Sequence, residues 1–463
     1  MHLTKLGFIA RKDNTIFANG LKQDYTYKNI IRIAFPLFIS FFGQNVVNIT
    51  DTAFMGRVGE IELGAVGNAG LFYMLFILIS MGFSNGLQII IGRRNGEGEF
   101  KTIGRLVQQG IYFCIPLATF LFCIIYFFSS DILATFVKSS QIHETATSFL
   151  KIRSFGIFFA ILNLVFVAFF VGIARTKILS VAAIVMTLVN VLLDYCFIFG
   201  EFGFPELGAD GAALASTIAE ISNTLILLGY ILLFIDRKQY ELFKLVKLNL
   251  KRMNKILGLA YPMMVQNFLS FGSWFVFFSI IEHLGERELA ISHIIRSIYM
   301  LIMMPVFSLT STTNTLVSNL IGQNESSKVR PLIWKSTLLG LASNIAFGIV
   351  IWCVPELILS VFTDDISLVS DSTGSLLVIS FSMFLFTIAF LQFTGINGSG
   401  NTIHSLIIEA INISIYLVAT YIAVEVLVVP LEIVWSTEFV YFSFLALMSF
   451  FYMKSDVWKG KKI

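Results

Sequence analysis

Residues 64–92, GAVGNAGLFYMLFILISMGFSNGLQIIIG, form an uncharged segment long enough to cross a lipid bilayer as a helix. Such a crossing takes about 20 apolar residues. Eleven further apolar segments recur along the 463-residue chain. A continuous helix satisfies every backbone polar group in lipid, and no barrel-like alternation is present, so we predict twelve membrane-spanning helices. The approximate spans are 32–55, 64–92, 103–128, 146–170, 178–200, 210–235, 253–282, 288–321, 332–354, 373–396, 405–429 and 433–453.

The overall composition supports the same interpretation. The chain is 56% hydrophobic and 13% charged, with a mean hydropathy of +0.83, whereas a soluble domain averages about 25% charged residues. Water-soluble enzymes, fibrous proteins and disordered chains are therefore excluded. The four cysteines lie inside spans without a CxxC pair, and no GxxxxGK[ST] motif for ATP binding is present. We expect no enzyme, no cofactor beyond a coupling ion, and no nucleic-acid partner.

The basic residues predict the orientation in the membrane. Of the 32 Lys and Arg, 25 lie in or beside the termini and every second loop, and 3 lie in the other loops. Cytoplasmic loops carry the excess of basic residues. We therefore place both termini in the cytoplasm and the chain in the plasma (inner) membrane. The N-terminal segment lacks the apolar core of a cleavable signal peptide.

An internal repeat divides the chain into two halves. Ala34-Phe35-Pro36 recurs 226 residues later as Ala260-Tyr261-Pro262, and residues 59–63, GEIEL, recur at the same offset as 285–289, GEREL. Each half contains six spans, so both halves cross the membrane in the same sense. Two lobes related by a pseudo-two-fold axis along the membrane normal are typical of alternating-access transporters. A duplication without mechanistic consequence is the alternative.

The predicted fold is therefore an all-α polytopic membrane protein with twelve transmembrane helices in two six-helix lobes. Its organisation is a cytoplasmic N-terminal segment (1–31), an N-lobe with spans 1–6 (32–235), a basic cytoplasmic linker (236–252), a C-lobe with spans 7–12 (253–453) and a cytoplasmic tail (454–463).

The two halves differ in their acidic residues. Asp51, Asp194 and Glu220 lie in spans 1, 5 and 6, and the offset of 226 pairs them with Phe277, Thr420 and Ala446. A carboxylate inside a membrane span is a functional-site hypothesis by default. Three acids of the C-lobe spans lie near predicted span ends, and we interpret them as solvated: Glu409, Glu425 and Glu438.

Helical spacing groups the polar residues of the N-lobe. Gln44, Asn48 and Asp51 share one face of span 1. Asn190 and Asp194 share a face of span 5, and Thr217 and Glu220 lie at a similar depth in span 6. If these helices are neighbours, the residues converge in the outer third of the membrane. Two close carboxylates could share a proton or be neutralised by Na⁺; the alternative is that these residues only hydrogen-bond helices together.

Pro36 lies in the inner part of span 1. A proline inside a helix removes a backbone hydrogen bond and permits a bend. We expect Pro36 to act as a hinge when the carboxylates change their ion occupancy, and a static kink is the alternative.

These residues resemble a known family. The run from Ala34 through Asp51-Thr52-Ala53-Phe54-Met55-Gly56 is similar to span 1 of the multidrug and toxic compound extrusion (MATE) family. So are residues 172–177, GIARTK, and Asn190 with Asp194. The likeness covers essentially the whole chain.

The resemblance implies an antiporter that exports organic, often cationic compounds in exchange for Na⁺ or H⁺. It implies an N-lobe cation site, which would also be the metal site if the ion is Na⁺. The residues that match this site are Asp51, Asn190, Asp194 and Thr217, with the carbonyl of Ala213 as a further donor.

The chain also departs from one branch of the family. The NorM-type branch has an acid in span 7, where this sequence has Ser270, and another in span 10. Spans 7 and 10 here contain no acid in their middle portions, so the pattern is closer to the DinF-type branch.

Two other functions remain open at this point. A flippase for lipid-linked oligosaccharides would need basic residues along its cavity, and Arg296 is the only arginine well inside a C-lobe span. A scaffold or receptor without transport leaves the N-lobe carboxylates unexplained. We expect a small organic molecule as substrate, the lipid bilayer as surroundings and a functional monomer.

Overall fold

The computed structural model describes residues 25–244, 246–363 and 365–461. Most of the predicted N-terminal segment (1–31) and the last residues of the tail therefore lie outside the described residues. The described chain is almost entirely helical. It contains eleven helices long and apolar enough to cross a membrane, or twelve if one bent pair forms a single span.

The predicted twelve spans are confirmed, with the bent pair as span 4. Their helices are Tyr27–Val58, Glu60–Gly96, Phe100–Ala134, Ser140–Ser154 with Ile157–Gly172, Lys177–Phe199, Gly208–Phe234, Leu250–Glu282, Glu286–Gly322, Ser326–Cys353, Ile366–Gly398, Thr402–Val426 and Leu431–Lys454.

Several helices extend beyond their apolar segments. Span 10 begins at Ile366, earlier than predicted, because the Asp365 side chain caps it by accepting from the backbone N–H groups of Ser367 (2.9 Å) and Leu368 (3.3 Å). Such a cap satisfies the free donors of the first turn. Hydropathy alone underestimates these helices, since their polar first turns carry no apolar signal.

Span 4 bends by 51° between Ser154 and Ile157. Its first helix packs against spans 2 and 6, and its second against spans 2 and 3. The bend places the end of the first helix beside the middle of span 6, where Arg153 meets Glu220.

The hydrophobic core has two parts. One cluster is built largely from residues of spans 1–6, and the other largely from residues of spans 7–12. Short side chains allow spans 2 and 7 to cross closely between them. A Cβ on Gly82 would lie 2.4 Å from Met264 Cα, and a Cβ on Gly86 would lie 2.5 Å from Ala260 Cα.

Hydrogen bonds join the lobes through the half of span 2 that ends at the predicted cytoplasmic surface. Gln88 Nε2 donates to Thr315 Oγ1 at 2.8 Å, and Ser318 Oγ donates to the carbonyl of Ile89 at 2.6 Å. At the end of the helix, Arg93 Nη2 donates to the carbonyl of Ser399 at 3.0 Å. The lobes are therefore closed against each other at this end.

The linker between the lobes packs against span 3. Arg105 Nη2 lies 2.9 Å from Glu241 Oε2, and Gln109 Nε2 donates to the carbonyl of Lys247 at 3.2 Å. The hydrogen bond from Arg105 lowers the pKa of Glu241 below its usual range. The described part of this linker is held to the N-lobe by these contacts.

Candidate functional site

Spans 1, 5 and 6 are neighbours, which is the condition under which their polar residues were predicted to converge. Span 5 packs against both span 1 and span 6. Thr187 Oγ1 donates to the carbonyl of Gly43 at 3.1 Å, and a Cβ on Gly43 would lie 3.0 Å from the same hydroxyl. The small residue thus lets span 5 approach span 1 closely, one turn from the polar cluster.

The carboxyl groups of Asp51 and Asp194 meet at hydrogen-bonding range. Asp194 is fully buried, and Oδ1 of Asp51 and both carboxyl oxygens of Asp194 have no donor among the residues that the structure describes. Two carboxylates offer acceptors only, so their contact requires a positive species between them. A proton shared by the pair, or a cation bound by both, satisfies this requirement.

Asn190 and Ser216 complete the cluster. Asn190 lies one turn before Asp194, and its Nδ2 donates to Ser216 Oγ at 3.3 Å. Ser216 is in turn within hydrogen-bonding range of Asp51. The amide oxygen of Asn190 is also buried without a hydrogen-bond donor among the described residues. With the three carboxyl oxygens above, it gives the site four oxygens that could bind a cation.

The other predicted site residues lie in different environments. Thr217, next to Ser216, directs its hydroxyl to the carbonyl of Ala213 at 2.8 Å. In this arrangement the Thr217 hydroxyl and the Ala213 carbonyl are therefore bonded to each other. Gln44 and Asn48 are exposed, and the structure does not bring them into the buried cluster.

Glu220 belongs to a buried ion pair that the sequence did not reveal. Arg153 Nη2 lies 2.7 Å from Glu220 Oε1, and the side chains are 14% and 16% exposed. The guanidinium also lies 4.4 Å from the ring centre of Tyr73. The charge of Arg153 acts on both Asp51 and Asp194, so a fixed cation stands next to the carboxylate pair.

Gly156, just after the bend of span 4, makes room for this pair. A Cβ on Gly156 would lie 2.6 Å from both Arg153 Nη1 and Glu220 Oε2. The only sequence signal for the pair was an arginine in span 4 and a glutamate in span 6, which spacing within one helix cannot connect.

The acids of the C-lobe require a correction. Glu425 is exposed and pairs with His283, as a solvated residue would. Glu409 and Glu438 were predicted to be solvated, but they are only 2% and 3% exposed. Ser270 and Tyr441 cover Glu409, and Tyr299 and Tyr416 cover Glu438. Buried acids are therefore not confined to the N-lobe.

Pro36 is buried within the continuous helix Tyr27–Val58. One turn earlier, the carbonyl of Ile33 accepts a hydrogen bond from Thr176 Oγ1 at 2.8 Å. Thr176 therefore links the start of span 5 to span 1 at the point where the proline interrupts the backbone ladder.

Two six-helix lobes that meet at one end, with a carboxylate pair buried in one of them, define a polytopic membrane transporter of the alternating-access type. The MatE family model matches residues 36–196 and 262–422. The two matched segments are separated by the same offset of 226 residues as the internal repeat. The chain belongs to this family, as the resemblance predicted, and membership of a transporter family confirms that it is not an enzyme.

Curated relatives cover most of the chain. The chain is 26% identical over 405 residues to a probable multidrug resistance protein NorM of Thermotoga maritima, with 86% of each chain covered. It is 22% identical to the multidrug resistance protein NorM of Vibrio cholerae, with 77% of each covered. The predicted likeness to the DinF-type branch stays a prediction.

Solved structures share the fold. One is described as the outward-facing conformation of a multidrug resistance MATE family transporter of the MOP superfamily; it has a TM-score of 0.86 at 18% identity and covers 94% of this chain and 97% of that chain. A MOP superfamily transporter from Pyrococcus furiosus has a TM-score of 0.82 at 19% identity, with 93% and 95% covered. The two-lobe, twelve-helix fold is thereby confirmed.

Proposed function

We propose that this chain is a secondary active antiporter that exports small organic compounds, mainly cationic or amphipathic ones, in exchange for Na⁺ or H⁺. The observation that carries the proposal is the contact between Asp51 and Asp194, in which Asp51 Oδ1 and both carboxyl oxygens of Asp194 are buried without a donor among the described residues. The names of the multidrug resistance relatives support the substrate class.

The coupling follows from the charge of the site. Without an ion, two carboxylates in contact repel each other, and burial raises the free energy of both charges. A bound cation therefore favours the arrangement in which spans 1 and 5 are close. A ligand shifts a conformational equilibrium only by its differential affinity for the two states, and this contact provides such a difference.

Each site residue has a proposed role. Asp51 and Asp194 carry the charge that binds the ion, and the amide oxygen of Asn190 is a further ligand. Ser216 orients Asp51, and Thr217 with Ala213 would join the shell after a small rotation that frees the hydroxyl. Gln44 and Asn48 have no direct role in the arrangement described here, because both are exposed.

Either ion fits these groups. A proton shared between the carboxyls needs no further ligand. Na⁺ would use the carboxylate oxygens with the amide and hydroxyl oxygens, the hard donors that such cations prefer. We keep both ions in the proposal.

The lobe contacts suggest how the cycle is organised. We assign residues 32–235 and 253–453 to two lobes, 236–252 to the cytoplasmic linker and both termini to the cytoplasmic side of the inner membrane. With this orientation, the bonds from Gln88 to Thr315 and from Arg93 to Ser399 close the cytoplasmic side. Export would then require these bonds to break and re-form in each cycle, within a single copy of the chain.

The test is export from proteoliposomes containing the purified full chain. A fluorescent organic cation is loaded, and either a Na⁺ gradient at constant pH or a pH gradient without Na⁺ is imposed. The proposal expects export that depends on one of the two gradients. Gradient-independent movement of a lipid-linked oligosaccharide, with no export of the cation, would contradict it and favour a flippase. Arg296 gives that alternative little support, because its guanidinium lies 5.1 Å from the ring centre of Phe278.

A further inference from the structure

The C-lobe contains a cluster of buried polar groups that the proposed coupling site does not use. We propose that Glu409 and Glu438 form a second proton-binding site, built on spans 11 and 12 and separate from Asp51 and Asp194. Each carboxylate binds one proton to become a neutral carboxylic acid. The proposal does not depend on the N-lobe site being the coupling site.

Glu409 lies in span 11 with an incomplete set of partners. Its Oε1 accepts hydrogen bonds from Ser270 Oγ at 2.8 Å and from Tyr441 OH at 2.7 Å. Its Oε2 is buried without any partner. A proton on Oε2 would remove the negative charge from this buried group and turn the unused oxygen into a donor.

An acceptor for that donor is available on the same helix. Asn412 follows Glu409 by one turn, on the same face of span 11. It is fully buried, and neither its amide nitrogen nor its amide oxygen has a partner. A buried amide left unpaired destabilises the fold, and a hydroxyl on Oε2 of a protonated Glu409 would be a donor one turn from the unpaired oxygen of this amide.

Glu438 lies in span 12 between two tyrosines. Oε1 accepts from Tyr416 OH at 2.9 Å, and Oε2 accepts from Tyr299 OH at 3.3 Å. Both tyrosines are buried. Neutral hydroxyl groups stabilise the carboxyl group but do not cancel its charge, so protonation is the route by which this group can be neutral in lipid.

The two glutamates belong to one aromatic cluster. The rings of Tyr416 and Tyr441, each bonded to one of the carboxyls, have centres 5.3 Å apart. Ser270 and Tyr441 are only partly buried, which gives the Glu409 side of the cluster a polar edge. A proton can enter there without breaking the hydrophobic core.

No charged group of the described residues pairs with either glutamate. The titratable groups that face them are Tyr441 for Glu409 and Tyr299 with Tyr416 for Glu438. The nearby basic residues of span 8 are engaged elsewhere: His293 stacks on the Phe278 ring with centres 5.2 Å apart, and Arg296 lies over the same ring. In the outer part of spans 8 and 10, Arg287 pairs with Asp371 at 2.6 Å.

The ligand we assign is therefore a proton. The carboxyls have separate hydrogen-bond partners and no contact with each other, unlike Asp51 and Asp194. A metal cation would need several oxygens converging on one point. Within the described ranges, no group of three or more His, Cys, Asp or Glu is placed to hold a metal ion.

The cluster uses spans 7, 11 and 12, which correspond in the repeat to spans 1, 5 and 6 of the N-lobe site, and adds Tyr299 of span 8. Spans 7, 11 and 12 pack together as spans 1, 5 and 6 do. Tyr299, bonded to Glu438, is the repeat partner of Tyr73 at the offset of 226, and Tyr73 packs on Arg153. Each lobe therefore holds a polar cluster on corresponding helices, with its acids at different positions along them.

The test is infrared difference spectroscopy of the purified full chain between a mildly acidic pH, at which exposed carboxyl groups are still ionised, and an alkaline pH. The signal is the carbonyl stretching band of protonated carboxylic acids. We expect a band that disappears at alkaline pH in the wild type and in Asp51→Asn/Asp194→Asn, which keeps the C-lobe acids. Glu409→Gln and Glu438→Gln should each lose part of it, whereas Glu356→Gln, an exposed acid, should keep it whole.

A pH-dependent band that is identical in the wild type, Glu409→Gln and Glu438→Gln would overturn the proposal. If either glutamine variant fails to fold, Tyr441→Phe serves instead, because it keeps both carboxyls and removes one bond to Glu409 Oε1. The frequency of the Glu409 band should then shift, and an unshifted spectrum would also overturn the proposal. Neither readout measures transport. A failure of the coupling role proposed for Asp51 and Asp194 would therefore not change the outcome expected for Glu409 and Glu438.

Discussion

Arg153 Nη2 lies 2.7 Å from Glu220 Oε1, within a part of the N-lobe where both side chains are largely buried. The pair connects the bent span 4 to span 6, and its positive member acts on Asp51 and Asp194. This fixed charge partly offsets the repulsion of the carboxylate pair. The ion pair is therefore both a helix contact and a part of the electrostatic setting of the cation site.

Breaking the ion pair should destabilise the protein more than replacing it. Arg153→Met and Glu220→Leu each leave one buried charge unpaired, which costs about 3–5 kcal/mol, whereas replacing both residues by apolar ones is often nearly neutral. We expect thermal unfolding of the purified protein at clearly lower temperature for each single variant than for the double variant. A double variant less stable than both single variants would show that the two charges do not depend on each other.

Closure at the predicted cytoplasmic end should fail when Gly86 carries a side chain. In Gly86→Leu the new Cβ overlaps Ala260, where the two helix backbones meet. Overpacking costs about 1–3 kcal/mol, so the population of the closed arrangement should fall by a factor of roughly 5 to 150. We expect slower export and faster alkylation of Thr315→Cys by a membrane-impermeant thiol reagent.

Gly70→Leu is the matched control for Gly86→Leu. It introduces the same side chain on the same helix, at a glycine with nothing within 4 Å of the added Cβ. Its export and alkylation should equal those of the parent protein. Equal behaviour of the two leucine variants would contradict the role assigned to the crossing of spans 2 and 7.

The hinge assigned to Pro36 can be separated from ion binding. Pro36→Ala restores a backbone N–H donor, so span 1 should no longer bend at this residue. The carboxylates of Asp51 and Asp194 are unchanged. We expect the added coupling ion to raise the unfolding temperature as in the wild type, since a ligand that binds the folded state stabilises it, while export falls. Unchanged export would leave Pro36 as a static kink.

Thr176→Val tests the partner of this hinge. The substitution removes the hydroxyl that donates to the Ile33 carbonyl at 2.8 Å and keeps a side chain of similar size. We expect a partial loss of export with unchanged ion stabilisation, because the link between spans 1 and 5 is weakened and the carboxylates are untouched. A variant that loses ion stabilisation would place Thr176 in the binding site instead.

The fold was largely predictable, because lipid imposes a length and a polarity on each helix. The repeat predicted two lobes. Helical spacing placed Asn190 and Asp194 on one face of span 5, at the depth of Asp51 in span 1, and the family resemblance implied that the three residues share a site. Contacts between distant helices were not predictable in the same way. Arg153, Tyr73 and Ser216 entered the site through the bend of span 4 and the packing of span 6, which one-dimensional spacing does not describe.

The burial of Glu409 and Glu438 was missed for a related reason. Both lie near the ends of their apolar segments, where hydropathy suggests contact with water. The helices continue beyond those segments, and tyrosines of neighbouring helices cover the carboxyls. Pairing residues at the repeat offset of 226 also did not find these acids, because they occupy other turns of the corresponding helices than Asp51, Asp194 and Glu220.

The role proposed for Asp51 and Asp194 in binding the ion that drives export is tested most directly by gradient-driven export by Asp51→Asn and Asp194→Asn in proteoliposomes. Each substitution removes one negative charge while retaining a side chain of the same size, and Glu356→Gln serves as the exposed-acid control. We expect both aspartate variants to lose gradient-driven export and stabilisation by the coupling ion, while the control retains both. Undiminished export driven by the same gradient in both aspartate variants would contradict it.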